Sequence, residues 1–257
     1  MPGVVVGVDG SPASGHALRW AVSEASLHGA SLTLLHAWHE PLSLAVPLSA
    51  DDLAALTGLA RTSTGAVSVA APGPPAKALE SFDADLVVLG STQGEQFRHT
   101  AHLARHVLHH TRAPLALVPA VEEGGRGRVL VGVTGSACSQ AALRWAAREA
   151  SARAATLVAV TVGNPTIGDV LHHRHPDGAQ ELVRVVTETL GSAEGVELHA
   201  EHGGPLDRLL ELAQDVDVMV VGRTPHGALR RVLGGSLGDD LGHLAPCPLV
   251  AVPDDRG

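Results

Sequence analysis

Aromatic side chains are nearly absent from this chain. There is no tyrosine, and two phenylalanines and three tryptophans make up only 2% of its 257 residues. The packed interior must therefore be built from Val, Leu and Ala, which a hydrophobic content of 45% supplies. Lysine is almost missing too: Lys77 stands alone, the arginines are scattered, and the formal net charge is −9. That balance opposes binding to DNA, RNA or an anionic membrane. Two cysteines, Cys138 and Cys247, make neither a disulfide framework nor a CxxC metal site. No apolar run reaches the ~18 residues that span a bilayer. The opening MPGVVVGVDGS has no basic leader and breaks its apolar run early, so no secretory signal is expected. A reducing cytoplasm is the expected location. Known catalytic signatures are lacking as well: there is no GxSxG elbow, no HExxH and no P-loop lysine. Enzyme activity is therefore not expected.

What the chain does have is an internal repeat. VVVGVDGSPASGHALRWAVSEAS from Val4 is answered by VLVGVTGSACSQAALRWAAREAS from Val129, an ungapped offset of 129 − 4 = 125 residues. DADLVVLGST is answered by DVDVMVVGRT, and APLALVP by CPLVAVP. Three blocks in one order mean duplication of a whole domain, and two long units do not make a solenoid. The polar, glycine-rich PAVEEGGRG reads as a linker, which gives domains at 1–120 and 127–257.

Within each unit, apolar runs alternate with helical patterns. In the first, strands are expected at 4–8, 32–38, 66–70, 85–89 and 115–118. Helices are expected from Ser11-Pro12 onward, with Leu18, Ala21, Val22 and Ala25 on one face, and at 49–61, 75–82 and 95–111. In the second, strands are expected at 129–133, 156–162, 196–200, 218–221 and 249–252, and helices at 139–153, 177–190, 206–214 and 236–244. Continuous apolar strands alternating with helices predict an α/β fold: a parallel sheet in each domain, right-handed crossovers, and helices on both faces. Ligands of such sheets sit at the carboxyl ends of the strands. The Asp9, Gly90 and Gly222 turns lie at such ends.

The strand ends VGVDGS, VVLGS and VVGR, with the closing APCPLVAV, resemble the universal stress protein family. The likeness covers nearly the whole chain, twice, in a tandem form similar to architectures common in actinobacteria. It implies two Rossmann-like, adenine nucleotide α-hydrolase-like domains, each with a five-stranded sheet, in a cytoplasmic stress-response protein. It also implies fifth strands paired between domains, so that the chain forms a pseudo-dimer within itself, with a homodimer as a further option.

Many family members bind ATP through a motif of Gly, two residues, Gly, nine residues, then Gly followed by Ser or Thr. Glycines let backbone N–H groups approach phosphates, and the last pair opens a helix whose N-terminus favours anions. An Asp after the first strand sits beside the nucleotide. The first repeat keeps Asp9, Gly10, Ser11 and Gly90, but Gln93 replaces the second glycine and the Gly-Ser pair is missing. The second keeps Gly222 and Gly235-Ser236, but Thr134 replaces the Asp and Pro225 the second glycine, where Gly227 partly compensates. Carried onto this sequence, the resemblance implies ATP binding mainly in the second repeat, with or without Mg²⁺. Its contacts there are Val133, Thr134, Gly222, Gly227, Gly235, Ser236 and Leu237, with Val160 flanking the adenine. The weaker first-repeat set is Val8, Asp9, Gly90 and Ala37, the last taken as the equivalent of Val160.

Plainer readings stand beside these. Asp9 and Thr134 also suit helix-capping turns, Gly90 and Gly222 strand-end turns, and Gly235-Ser236 a loop and N-cap. A pseudo-nucleotide-binding scaffold acting through protein partners is the alternative function, and an enzyme of the wider α-hydrolase-like group a third. His99, His102, His106 and His109 share one helix face, but over three turns they cannot all ligate one tetrahedral ion. They read as a solvated face, His172, His173 and His175 as a surface loop, and no metal is expected. Cys138 reads as a small buried residue and Trp20 and Trp145 as packing anchors.

Overall fold

In the computed structural model the described residues are 3–38, 67–91, 103–104, 106–108, 110–120, 125–163, 178–223 and 244–254. The expected helix 49–61, and most of those at 95–111 and 236–244, lie outside them. The chain divides into two compact units, Met1–Glu122 and Glu123–Gly257.

The first unit runs β1 (Gly3–Gly7), α1 (Pro12–His28), β2 (Ser31–Trp38), β3 (Val67–Pro72), α2 (Pro75–Glu80), β4 (Leu86–Ser91) and β5 (Leu115–Pro119). Its ladders are all parallel, in the order β3-β2-β1-β4-β5. The second runs β6 (Arg128–Gly132), α3 (Ala137–Ala152), β7 (Thr156–Gly163), α4 (Gly178–Leu190), β8 (Val196–His202), α5 (Pro205–Leu212), a 3₁₀ turn (Ala213–Asp215), β9 (Val218–Arg223) and β10 (Leu249–Pro253). Its parallel order, β8-β7-β6-β9-β10, is that of the first unit. In each, the chain lays two strands on one side of the first, then crosses to the other side.

The apolar runs explain this placement. Val4–Val6 in β1 and Val129–Val131 in β6 are buried on both faces, as a central parallel strand requires. Each strand start is fixed by a carboxylate from the turn before the fourth strand of its unit. Asp85 accepts the Gly3 N–H at 2.8 Å, and Asp217 those of Arg126 and Arg128 at 2.6 and 3.1 Å. In the first unit Val5, Leu35, Leu79, Val87, Val107 and Leu115 share one core cluster.

The helices differ from expectation in detail. Ser11 caps α1, with its side chain accepting the Ser14 N–H, Pro12 opens the helix, and Gly29 closes it in the left-handed region. The buried face includes Ala17, Leu18, Ala21, Glu24 and Ala25, while Val22 is only half-buried, so the face is rotated by part of a turn. α2 stops at Glu80, two residues early, where Ser81 and Phe82 donate to the Ala78 and Leu79 carbonyls in a tightened turn. Trp20 and Trp145 are buried in matching positions. Among the described residues no helix is long and apolar enough to cross a membrane.

Candidate functional site

The strand order reverses between β1 and β4 in the first unit and between β6 and β9 in the second. Ligands of open α/β sheets bind outside the carboxyl ends of the strands at such a switch point. The β1–α1 and β6–α3 turns open there.

In the first unit Gly10, at φ 80°, lets the chain turn between Asp9 and Ser11. The exposed Asp9 carboxylate accepts the Ser11 N–H at 2.9 Å, an Asx turn that leads into the helix cap. Burial opposes its ionisation most, yet hydrogen bonds from the Ser11 side chain and backbone and from Ser14 together hold its pKa below the ordinary value. Val8 is buried, with its N–H donated to the Leu35 carbonyl at 2.9 Å. A ring nitrogen of the buried His36 lies 2.8 Å from the Val8 carbonyl. Ala37, one residue on, is half-buried at the end of β2.

The second unit builds the same turn with Thr134 in place of the Asp, and Glu181 of α4 reaches it, its Oε1 3.8 Å from where a Cβ on Gly135 would stand. Gly135 takes φ 74° and Ser136 caps α3. Thr134 is exposed; its N–H donates to the Ser139 hydroxyl at 3.2 Å, and its hydroxyl pairs with that of Ser136 at 2.9 Å. Val133 is buried and donates to the Val160 carbonyl at 2.8 Å.

The ladder corrects one equivalence. Gly7 lies opposite Leu35, and Gly132 opposite Val160, so Val160 matches Leu35 rather than Ala37. Val160 is also fully buried. The true counterpart of Ala37 is Val162, at 37 + 125, half-buried near the end of β7. The repeat offset already carried that signal.

Gly90 and Gly222 have a packing role that composition does not reveal. A Cβ at Gly90 would lie 2.5 Å from the Ala13 carbonyl carbon and oxygen, and one at Gly222 would meet those of Cys138 at 2.5 Å. Each glycine lets the first turn of a helix sit directly on a strand end. Gly227, Gly235, Ser236 and Leu237 lie outside the described residues.

Several residues stand out only in the folded chain. His36 is buried where the second repeat has Thr161. Glu24 and Glu149 are buried carboxylates on α1 and α3; Glu24 lies 3.7 Å from His28, and Glu149 2.5 Å from Arg153, each one turn along its own helix. Arg223 ends β9 half-buried; burial lowers its pKa and the charge of Asp254 opposes that. Cys138 and Cys247 are both buried thiols, and burial pushes that of Cys247 up to about 12.

Two parallel α/β units with paired switch-point turns define a tandem protein of the Rossmann-like class. The family model described as the universal stress protein family matches residues 2–61 and 125–253, and the chain belongs to that family. A universal stress protein of Mycolicibacterium smegmatis is 29% identical over 97% of this chain and 96% of its own. One from Mycobacterium tuberculosis is 26% identical over 96% and 95%. In fold, the crystal structure of a universal stress protein from Archaeoglobus fulgidus is similar, with a TM-score of 0.74 at 18% identity, covering 99% of this chain and 97% of that one.

Proposed function

We propose that this chain is a cytoplasmic stress-response regulator that takes an adenine nucleotide, ATP first, as a ligand rather than a substrate, with its principal site in the second unit. The feature that carries this is the Gly235-Ser236 pair, which the first repeat lacks. The first unit offers a phosphate chain a carboxylate held ionised by three serine contacts. The second offers a neutral hydroxyl at the same turn. Thr134 removes one carboxylate from that turn, where Glu181 of α4 still approaches Gly135. Arg223 adds a positive charge at the end of β9 in that unit. The Gly235-Ser236 pair supplies the N–H groups of a helix start, as the resemblance implies. Val162 replaces Val160 as the side chain against the base. Neither unit sets a base against a nucleophile in the described turns, which favours binding over turnover.

A second reading is a scaffold that keeps the fold and works through protein partners. The contacts of Gly90 and Gly222 favour it, because packing alone accounts for both glycines. Purified protein is denatured and the released small molecules are identified by absorbance and mass spectrometry. An adenine nucleotide that co-purifies supports the first reading. No nucleotide, with no saturable binding at millimolar ATP, leaves the scaffold.

A further inference from the structure

A second cluster lies away from the switch point of the first unit. Glu80 ends α2, and His106 and His110 sit one turn apart on the helical segment near 103–110. His106 Nε2 is 2.5 Å from Glu80 Oε1, and His110 Nδ1 is 3.8 Å from the same oxygen. The two imidazoles are stacked, with centroids 4.2 Å apart and planes 19° from parallel. Each of the three residues brings a ligand atom within 4.8 Å of the other two.

We propose that Glu80, His106 and His110 form a binding site for a divalent transition metal, Zn²⁺ being the natural occupant. Three observations carry it. The first is spacing: histidines at i and i+4 project from one helix face and can close on one ion, which a run over three turns cannot do. The second is donor chemistry. Two imidazoles and a carboxylate suit Zn²⁺, Cu²⁺ or Ni²⁺, whereas Mg²⁺ and Ca²⁺ prefer oxygen alone. Three protein ligands leave a fourth tetrahedral position for water. The third is support from below. Leu79 and Val107, the chain neighbours of Glu80 and His106, are buried in one core cluster with Ala104. The cluster anchors both backbones, so closing on an ion costs mainly side-chain freedom, including the rotation that brings the two near-parallel rings to converge. His110 Nδ1 also lies 2.8 Å from the His106 carbonyl. It is the same nitrogen that faces Glu80, so the ring must turn to offer Nε2 to an ion while Nδ1 keeps the carbonyl.

The ion would tie the end of α2 to the helical segment that follows β4. It replaces the direct contact between Glu80 and His106, in which a proton occupies the place of the metal. Binding therefore stabilises the first unit by an amount that grows with the logarithm of free metal once this exceeds Kd. The site shares no residue with the proposed nucleotide turns.

The test is calorimetric titration of Zn²⁺ alone into the metal-stripped full chain. The comparison proteins are His106→Ala/His110→Ala, Glu80→Gln, and a His172→Ala/His173→Ala/His175→Ala control for the loop histidines. Saturable binding is expected in wild type and in the loop control with the same Kd. The double variant should bind at least tenfold more weakly, and Glu80→Gln several-fold more weakly. The Glu80, His106 and His110 side chains are 28–54% exposed, so their variants should fold, and circular dichroism without metal checks every variant. If the double variant does not fold, Glu80→Gln decides the question alone. Wild-type affinity in Glu80→Gln or in a folded double variant overturns the site, as does loss of binding in the loop control or its absence in wild type.

Discussion

Gly29 and Ala154 fill the same turn, 125 residues apart, with φ of 59° and 52°. Each follows the first helix of its unit, and the next residue donates to a carbonyl five back at 2.8 Å, Ala30 to Ala25 and Ala155 to Ala150. Glycine takes this left-handed conformation freely, whereas alanine is strained there by about 1 kcal/mol. Ala154→Gly should therefore raise stability by up to ~1 kcal/mol, less the entropy that glycine adds to the unfolded chain. Gly29→Ala should cost a similar amount. Urea midpoints check both; a lower midpoint for Ala154→Gly contradicts the strain.

Gly90 and Gly222 should tolerate no side chain. The atoms that a Cβ would meet are backbone of the facing helix, which cannot step aside. Gly222→Ala and Gly90→Ala should each destabilise by roughly 1–3 kcal/mol through overpacking. Gly163→Ala is the control, because a Cβ there meets nothing within 4 Å, and its effect should stay within about 0.5 kcal/mol. Equal midpoints in all three would contradict the close approach of helix and strand.

Asp9 should make stability acid-sensitive in a defined direction. Its folded pKa lies below the ordinary 3.8, because the hydrogen bonds from Ser11 and Ser14 outweigh burial. A depressed carboxyl stabilises the fold above its unfolded pKa, and loses that effect as pH falls through the folded value. Between about pH 4 and pH 2 wild type should lose stability more steeply than Asp9→Asn, which keeps the turn acceptor without the charge. Denaturant midpoints against pH supply the test, and parallel curves would refute it.

The central strands are legible because they are buried on both faces and read as unbroken apolar runs, whereas β8, VELHAEH, is only partly buried. Val129–Val133 is expected and Arg128–Gly132 found, one residue early at each end, because Arg128 pairs with Thr156 at the start of the parallel ladder. Sidedness was less legible. Glu24 lies among apolar positions of α1, and no periodicity announces a buried carboxylate. Val160 stands opposite Gly132 as Leu35 stands opposite Gly7, so register makes its counterpart Leu35 and not Ala37. The need for Gly90 and Gly222 rests on approach between two elements, and so does the meeting of Glu80 with His106. A linear pattern carries no distances of that kind. Of the candidate site, the turns at Asp9 and Thr134 could be read directly from their Gly-Ser signature.

The most direct test is an equilibrium titration of ATP into the nucleotide-free full chain, with Gly235→Asp and Asp9→Ala alongside. Gly235→Asp places a carboxylate and a side chain where the proposed phosphate site needs neither. At least tenfold weaker binding, about 1.4 kcal/mol, is expected there, while Asp9→Ala stays close to wild type. Equal affinity in wild type and Gly235→Asp, or loss of binding in Asp9→Ala, would contradict a principal site in the second unit.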